Sequence, residues 1–153
     1  MSSFDVDTTQ ITRFANKAKG QAQRILQEEL KSGFQRAGNR LKIAANKHIN
    51  RWTGELQDTA TVTTTQSGLV TQTTVGWPAR HARWVEEGRG PIEAPPGKVL
   101  RFETRSGEVI YRKRVGPAAA QRFTKKGLAD AQAGIRSDIQ DAARQFVRRF
   151  EAA

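Results

Sequence analysis

The sequence contains no cysteine and only two histidines, His48 and His81. The lack of cysteine excludes disulfides, thiol catalysis and cysteine-ligated zinc, and two distant histidines do not make a histidine-rich metal site. No apolar run approaches the roughly 18 residues that a membrane helix needs. Residues 1–7 lack the basic start and apolar stretch of a signal peptide. We therefore expect no metal, no cofactor and no membrane contact, and a protein that stays in a cytoplasm unless it is built into a particle.

Acidic residues are also scarce: 15 Asp and Glu face 26 Lys and Arg, which gives a net charge of +11. The basic residues are spread along the chain, so the whole folded body is basic and attracts polyanions, nucleic acid first. The alternative is a protein that is basic without a polyanionic partner. The 153 residues, 37% of them hydrophobic, fit one domain with a modest core.

No catalytic constellation is evident. Ser and Thr nucleophiles would need a partner base, and neither histidine has a third member of a triad nearby in the sequence. The carboxylate pair Glu86-Glu87 is adjacent in sequence, so its side chains point apart in regular structure. Residues 88–91 match neither a phosphate loop nor a dinucleotide fingerprint. We expect no enzyme and no catalytic residues.

Two helices frame the sequence. After a lead-in over residues 1–8, apolar residues recur at helical spacing over 9–52, with a kink near Gly33 or Gly38 or a projecting end. A second amphipathic helix over 117–151 begins at Pro117 and carries Asp138 on its outer face. In that helix Gly127 and Gly134 allow close approach of another helix. We interpret its apolar stripe as packing on a sheet.

The segment between the helices, residues 58–114, predicts two β-hairpins and a long loop over 88–98. The first hairpin pairs Thr59–Thr65 with Leu69–Val75; its threonine-rich face suits either a neighbouring subunit or plain solvent. The fold class is therefore α+β, a single domain in which a small antiparallel sheet of two hairpins packs with a long N-terminal and a long C-terminal helix. A short helical turn over 80–87 would place Trp84 and Val85 inward and Glu86 and Glu87 outward.

The second hairpin pairs residues 99–104 with 109–113. A two-residue turn at Ser106-Gly107 would set Phe102 opposite Tyr111 and Arg101 opposite Arg112, a like-charge pair that an anion across the face could relieve. This basic cluster is the sharpest candidate for a DNA-facing site, although an exposed basic hairpin without a partner has the same sequence. Its members are Arg101, Arg105, Arg112, Lys113 and Arg114.

Three motifs resemble a family of tailed-phage proteins called head–tail connector, neck or tail-completion proteins. The first is Thr-Gly-Glu-Leu-Gln-Asp-Thr at 53–59, similar to the family's Thr-Gly-x-Leu-x-x-Ser/Thr. The second is His-Ala-Arg-Trp-Val-Glu-Glu-Gly at 81–88, similar to Tyr-Ala-x-Tyr-Val-Glu-x-Gly. The third is Val-Gly-Pro at 115–117 with Gln121, Arg122, Phe123 and Leu128, similar to the entry of the family's last helix. Together the motifs extend the resemblance over roughly residues 40–150.

The resemblance implies a structural virion protein that forms a ring, usually sixfold, between the portal and the tail. Implied partners are head-completion and tail-terminator or tail-tube proteins, and packaged DNA bound without sequence specificity; the implied location is the head–tail junction, with assembly in the host cytoplasm. Two alternatives are a free basic nucleic-acid-binding protein and another tail component such as the terminator. We expect the segment 76–98 to contact the adjacent subunit, through Trp84, Glu86, Glu87, Arg89, Pro91, Ile92 and Pro95.

Overall fold

Two long helices, α1 (Thr9–Lys47) and α4 (Phe123–Glu151), form the frame of the molecule. The computed structural model describes residues 9–50, 54–104 and 106–152, so predictions for residues 1–8, for 51–53 and for Arg105 lie outside it. Between the helices, the described residues form two short helices and six strands: α2 Glu55–Asp58, β1 Thr61–Ser67, β2 Val70–Gly76, α3 Ala82–Glu87, β3 Ile92–Glu93, β4 Leu100–Glu103, β5 Val109–Arg112 and β6 Arg114–Val115. The α+β class is confirmed.

The helices α1 and α4 pack against each other in antiparallel fashion through small residues. A Cβ added at Gly127 would lie 2.4 Å from the Cα of Ala45, and one added at Gly33 would lie 2.6 Å from the Cβ of Ala142. A Cβ added at Gly134 would lie 2.4 Å from the Cδ of Arg40. The expected close approach at Gly127 and Gly134 is confirmed, and Gly33 also serves helix contact, within an α1 that runs as one helix from Thr9 to Lys47.

The β1–β2 hairpin lies on α1 and not on α4. Gly38 makes room for it, since a Cβ there would lie 2.5 Å from Thr73 Cγ2 and 2.7 Å from Val62 Cγ1. Polar contacts complete the interface: Thr64 Oγ1 donates to Gln35 Oε1 at 2.7 Å and meets Thr73 Oγ1 at 2.7 Å. The prediction that the last helix packs on the sheet is therefore wrong, because the main contacts of α4 are with α1.

The strands form three separate two-stranded sheets in the described part of the chain, not one. The loop predicted over 88–98 contains β3, which pairs with β6, and Arg89 forms a bridge to Ala118. Further along, β4 pairs with β5. Residues 89–118 thus run as one interrupted ribbon, which we call the arm, and its strands make little contact with the helices.

The predicted register of β4 and β5 is wrong by one residue. Arg101 pairs with Tyr111, and Arg112 pairs with Leu100. The cause is the turn: Gly107 adopts φ 84°, and the Thr104 amide donates to the Glu108 carbonyl at 2.7 Å. The loop consequently has three residues, of the kind that places glycine in the left-handed region, instead of two.

The core lies where the end of α1 meets the start of α4. Phe123 is 2% exposed and packs with Ala45, Ile49 and Leu56. Trp77 lies edge-on to Phe123, with ring centroids 5.0 Å apart. The last helix begins six residues later than the predicted Pro117, because residues 118–122 hydrogen-bond to the segment 85–89 before the helix can start.

Candidate assembly and DNA-facing surfaces

The motif at residues 81–88 fastens the short helix α3 to the rest of the domain. Val85 and Ala82 pack against the core around Phe123, and the Val85 carbonyl accepts a hydrogen bond from the Gln121 amide at 2.9 Å. Gly88 closes the motif with φ 80°, and a Cβ there would lie 2.8 Å from the Ala118 carbonyl oxygen. Only glycine suits both that backbone angle and that approach. Val85 lies inward, as predicted.

Glu86 caps the start of α4. Its Oε2 accepts a hydrogen bond from the Thr124 amide at 3.1 Å, and its Oε1 accepts one from the Thr124 hydroxyl. The first amides of a helix have no partner within the helix, and a carboxylate there also opposes the positive end of the helix dipole. The prediction that Glu86 points outward is wrong, since this acceptor role turns it toward α4. Glu87 is exposed, as predicted, and binds Arg83 at 2.8 Å.

Trp84 is the large side chain that α3 leaves to solvent. It is 55% exposed, so the prediction that it points inward is wrong. The inward aromatic position belongs instead to Trp77, whose Nε1 donates to Asn46 Oδ1 at 2.9 Å. The other expected interface residues follow α3 into the arm: Pro91, Ile92 and Pro95 are exposed, and Arg89 is half-buried. An exposed aromatic of this size is typical of contact surfaces.

The basic residues of the arm do not share one face. Opposed residues of an antiparallel pair lie on the same side of a sheet, so Arg101 lies beside Tyr111, whereas Arg112 lies beside Leu100 on the other side. Arg114 is paired with Glu93, at 3.3 Å between Nε and Oε1. Lys113, between β5 and β6, is exposed. The structure therefore places these four described positions on one arm, with Arg101 and Arg112 on opposite sides of the ribbon.

An ion pair that sequence reasoning missed joins the two long helices. Arg40 on α1 binds Asp138 on α4, which was predicted to lie on the outer face and is 6% exposed. Hydrogen bonds from Arg40 lower the pKa of Asp138, and burial opposes that shift. A signal was present: Ala131, Ile135, Asp138 and Ala142 follow a heptad spacing, which places position 138 inside the apolar stripe. A further contact joins Nε2 of His48, just past the end of α1, to Oδ2 of Asp130 on α4 at 2.7 Å.

Over residues 9–50, 54–104 and 106–152, no group of three or more His, Asp or Glu side chains is arranged to hold a metal ion. Across the same residues, no helix is both long and apolar enough to span a bilayer. The geometry instead offers surfaces: an exposed Trp84 with the base of the arm, a basic arm, and a threonine-rich hairpin.

Comparison with known protein families gives a match. The sequence matches the family described as "Bacteriophage HK97-gp10, putative tail-component" over residues 10–88, just over half of the chain. The matched region contains nearly all of α1, the β1–β2 hairpin and the motif at 81–88. No curated protein and no solved structure matches the chain.

Proposed function

The chain belongs to the HK97-gp10-like family of bacteriophage tail components, and from that membership we propose that it is a structural protein of the neck. In this proposal it forms a ring that completes the tail and joins it to the DNA-filled head. The family match over residues 10–88 is the observation that carries the proposal. The structure supports it with a thin core, a net charge of +11 and several exposed surfaces beyond that core.

The first proposed surface is a contact with the adjacent subunit, formed by the outer side of α3 and the base of the arm. Trp84 supplies the large exposed aromatic, and Ile92 at the start of β3, 36% exposed, supplies an apolar side chain. Large aromatics in contact surfaces carry much of the binding free energy. Glu86 is occupied by Thr124 within the same subunit, so we leave it out of this surface. The surface consists of Trp84, Glu87, Arg89, Pro91, Ile92 and Pro95.

The second proposed surface faces DNA and consists of basic positions on the arm. Arg112 and Lys113 are exposed and lie at the join between β5 and β6. Arg114 contributes less net charge, because Glu93 neutralises part of it. Arg101 lies on the opposite side of the ribbon and would reach a different phosphate or none; Arg105 is kept as a sequence-based prediction. A channel through which DNA passes must balance part of the phosphate charge without binding the DNA tightly, and a few exposed cations do this.

The proposed partners follow from the position in the particle. A hexameric ring would contact head-completion protein on one side and tail-terminator or tail-tube protein on the other, with packaged DNA along its axis. A ring interface is heterologous, so each subunit must present two different patches. The test is to block synthesis of the protein during infection and to examine lysates by electron microscopy. The proposal predicts filled heads and finished tails that fail to join; tails of uncontrolled length would instead assign the chain to the terminator.

A further inference from the structure

Among the residues that the structure describes, no further strand pairs with either edge of the β1–β2 hairpin. It is a two-stranded sheet, and within the described residues the elements in substantial contact with either strand are the other strand and α1. In an antiparallel pair, alternate residues turn their backbone N–H and C=O groups away from the partner strand. Counted from the turn at Gly68-Leu69, Thr64 and Thr73 are among these residues. Each seven-residue strand therefore presents a row of free donors and acceptors.

Neither edge carries the usual protection against strand addition. Exposed edges are normally blunted by charged side chains, proline or bulges. Residues 59–79 contain no Asp, Glu, Lys or Arg, and β1 and β2 contain no proline. The register from Thr61–Gly76 to Ser67–Val70 is continuous, without a bulge. The short strands of the arm differ, since β4 contains Arg101 and Glu103 and β5 contains Arg112.

The hairpin is also held in a fixed, extended form. Its inner face is anchored to α1 through Gly38 and through Thr64, and Gln66 Nε2 donates to the Gln27 carbonyl at 3.0 Å near the tip. Gln27 in turn donates to the Gly68 carbonyl at 2.8 Å. A strand that is already ordered loses little conformational entropy when another strand adds to it. The edges are thus preorganised for pairing.

We propose that the free edge of β1 pairs with the free edge of β2 in a second copy of this chain. Charge favours that occupant. Copies that each carry +11 repel one another over most of their surfaces, and residues 59–79 form a long segment through which two copies can meet without opposing like charges. The exposed threonine side chains of the outer face, such as Thr63 and Thr74, then continue from one copy to the next.

The symmetry of this contact fits a ring. The two edges belong to different strands, so joining β1 of one copy to β2 of the next is heterologous and leaves a free edge at each end until the ring closes. The inference rests on the proposed ring but uses a surface separate from Trp84 and the base of the arm. A contact of both kinds would tie each subunit to its neighbour at two places.

The test compares two double-lysine variants by analytical ultracentrifugation over a range of concentrations. The edge variant is Thr61→Lys with Gln72→Lys; both positions are exposed, and the two do not face each other within one hairpin, since Thr61 pairs with Gly76. The control is Gln132→Lys with Gln140→Lys, two exposed positions of α4 that add the same charge. We expect the wild type and the control to form the same closed oligomer, and the edge variant to need at least about 100-fold higher concentration, equivalent to about 2.7 kcal/mol.

An edge variant that is folded by circular dichroism and assembles like the control overturns the strand pairing and leaves the ring itself standing. A wild-type chain that stays monomeric up to about 1 mM also overturns the strand pairing. Should the edge variant fail to fold, hydrogen exchange on the wild type decides the matter. The outward amides, such as those of Thr64 and Thr73, must become protected on assembly; unchanged exchange of these amides overturns the proposal.

Discussion

Asp138 on α4 accepts two hydrogen bonds from the guanidinium of Arg40 on α1, from Nε to Oδ2 at 2.8 Å and from Nη2 to Oδ1 at 3.0 Å. This bidentate pair is set among small residues, with Gly134 beside the Arg40 side chain and Ala142 one turn further along α4. The helices approach closely at these positions, so the pair fixes their relative register as well as adding an attraction.

Replacing Asp138 by Asn should destabilise the domain in a pH-dependent way. The pKa of Asp138 is lowered in the folded state by hydrogen bonds from Arg40, so its contribution is complete above the unfolded pKa of about 3.9 and is lost as the pH falls through the lower folded value. We expect a loss of about 2 kcal/mol at pH 7 that shrinks below about pH 4. Urea unfolding of the wild type and the variant, at pH 7 and again below about pH 4, measures the loss of unfolding free energy at each pH. The exposed Asp141→Asn on the same helix is the control, and an equal loss at both pH values would contradict the account.

Replacing Glu86 by Ala should destabilise the start of α4. The substitution leaves the Thr124 amide without its acceptor, a loss comparable to that of a helix cap, about 1–2 kcal/mol in unfolding free energy. Glu87→Ala is the matched control and should change stability little, because Glu87 pairs with Arg83 on an exposed surface. Chemical denaturation of both variants makes the comparison; equal effects would show that Glu86 does not act as a cap.

Gly127→Ala and Gly20→Ala should have opposite effects. A Cβ at Gly127 meets the backbone of Ala45 at 2.4 Å, so the helices must separate, at a cost of about 1–3 kcal/mol. At Gly20 nothing lies within 4 Å, and alanine should stabilise α1 by about 0.5–1 kcal/mol. Thermal unfolding of the two variants measures the difference. Stabilisation by Gly127→Ala would contradict the close packing of α1 and α4.

Reversing the charges at Arg112, Lys113 and Arg114 to glutamate should impair head–tail joining or DNA retention while the domain stays folded. All three side chains are exposed, and the ion pair between Arg114 and Glu93 that the reversal removes is solvent-accessible. Infectivity in a complementation assay, with circular dichroism of the purified variant, measures both effects. A triple reversal at the exposed Lys125, Lys126 and Arg136 of α4 serves as the control. Normal infectivity of the arm variant would remove the assignment of this arm to the DNA-facing side.

The order of elements was predictable from the sequence because the apolar periods of α1 and α4 and the β-branched runs between them are long. The exposure of Trp84 was not predictable, because in a helix this short either Trp84 or Val85 can face the core. In the structure Trp77 occupies the space beside Phe123. The register of the arm depended on whether its turn contains two or three residues, which Gly107 decided through its backbone angle. The burial of Asp138 was not predicted, because a charged residue within an apolar stripe is buried only when a residue of opposite charge pairs with it. That partner, Arg40, is distant in the sequence.

The most direct measurement of the neck proposal is the position of the protein in purified phage particles. An antibody raised against the purified chain, with gold label and electron microscopy, gives that position. The account predicts label at the head–tail junction of intact particles and at one end of detached tails. Particles that lack the protein altogether would contradict it, and a steep salt dependence of DNA binding by the purified chain would then favour a free nucleic-acid-binding protein.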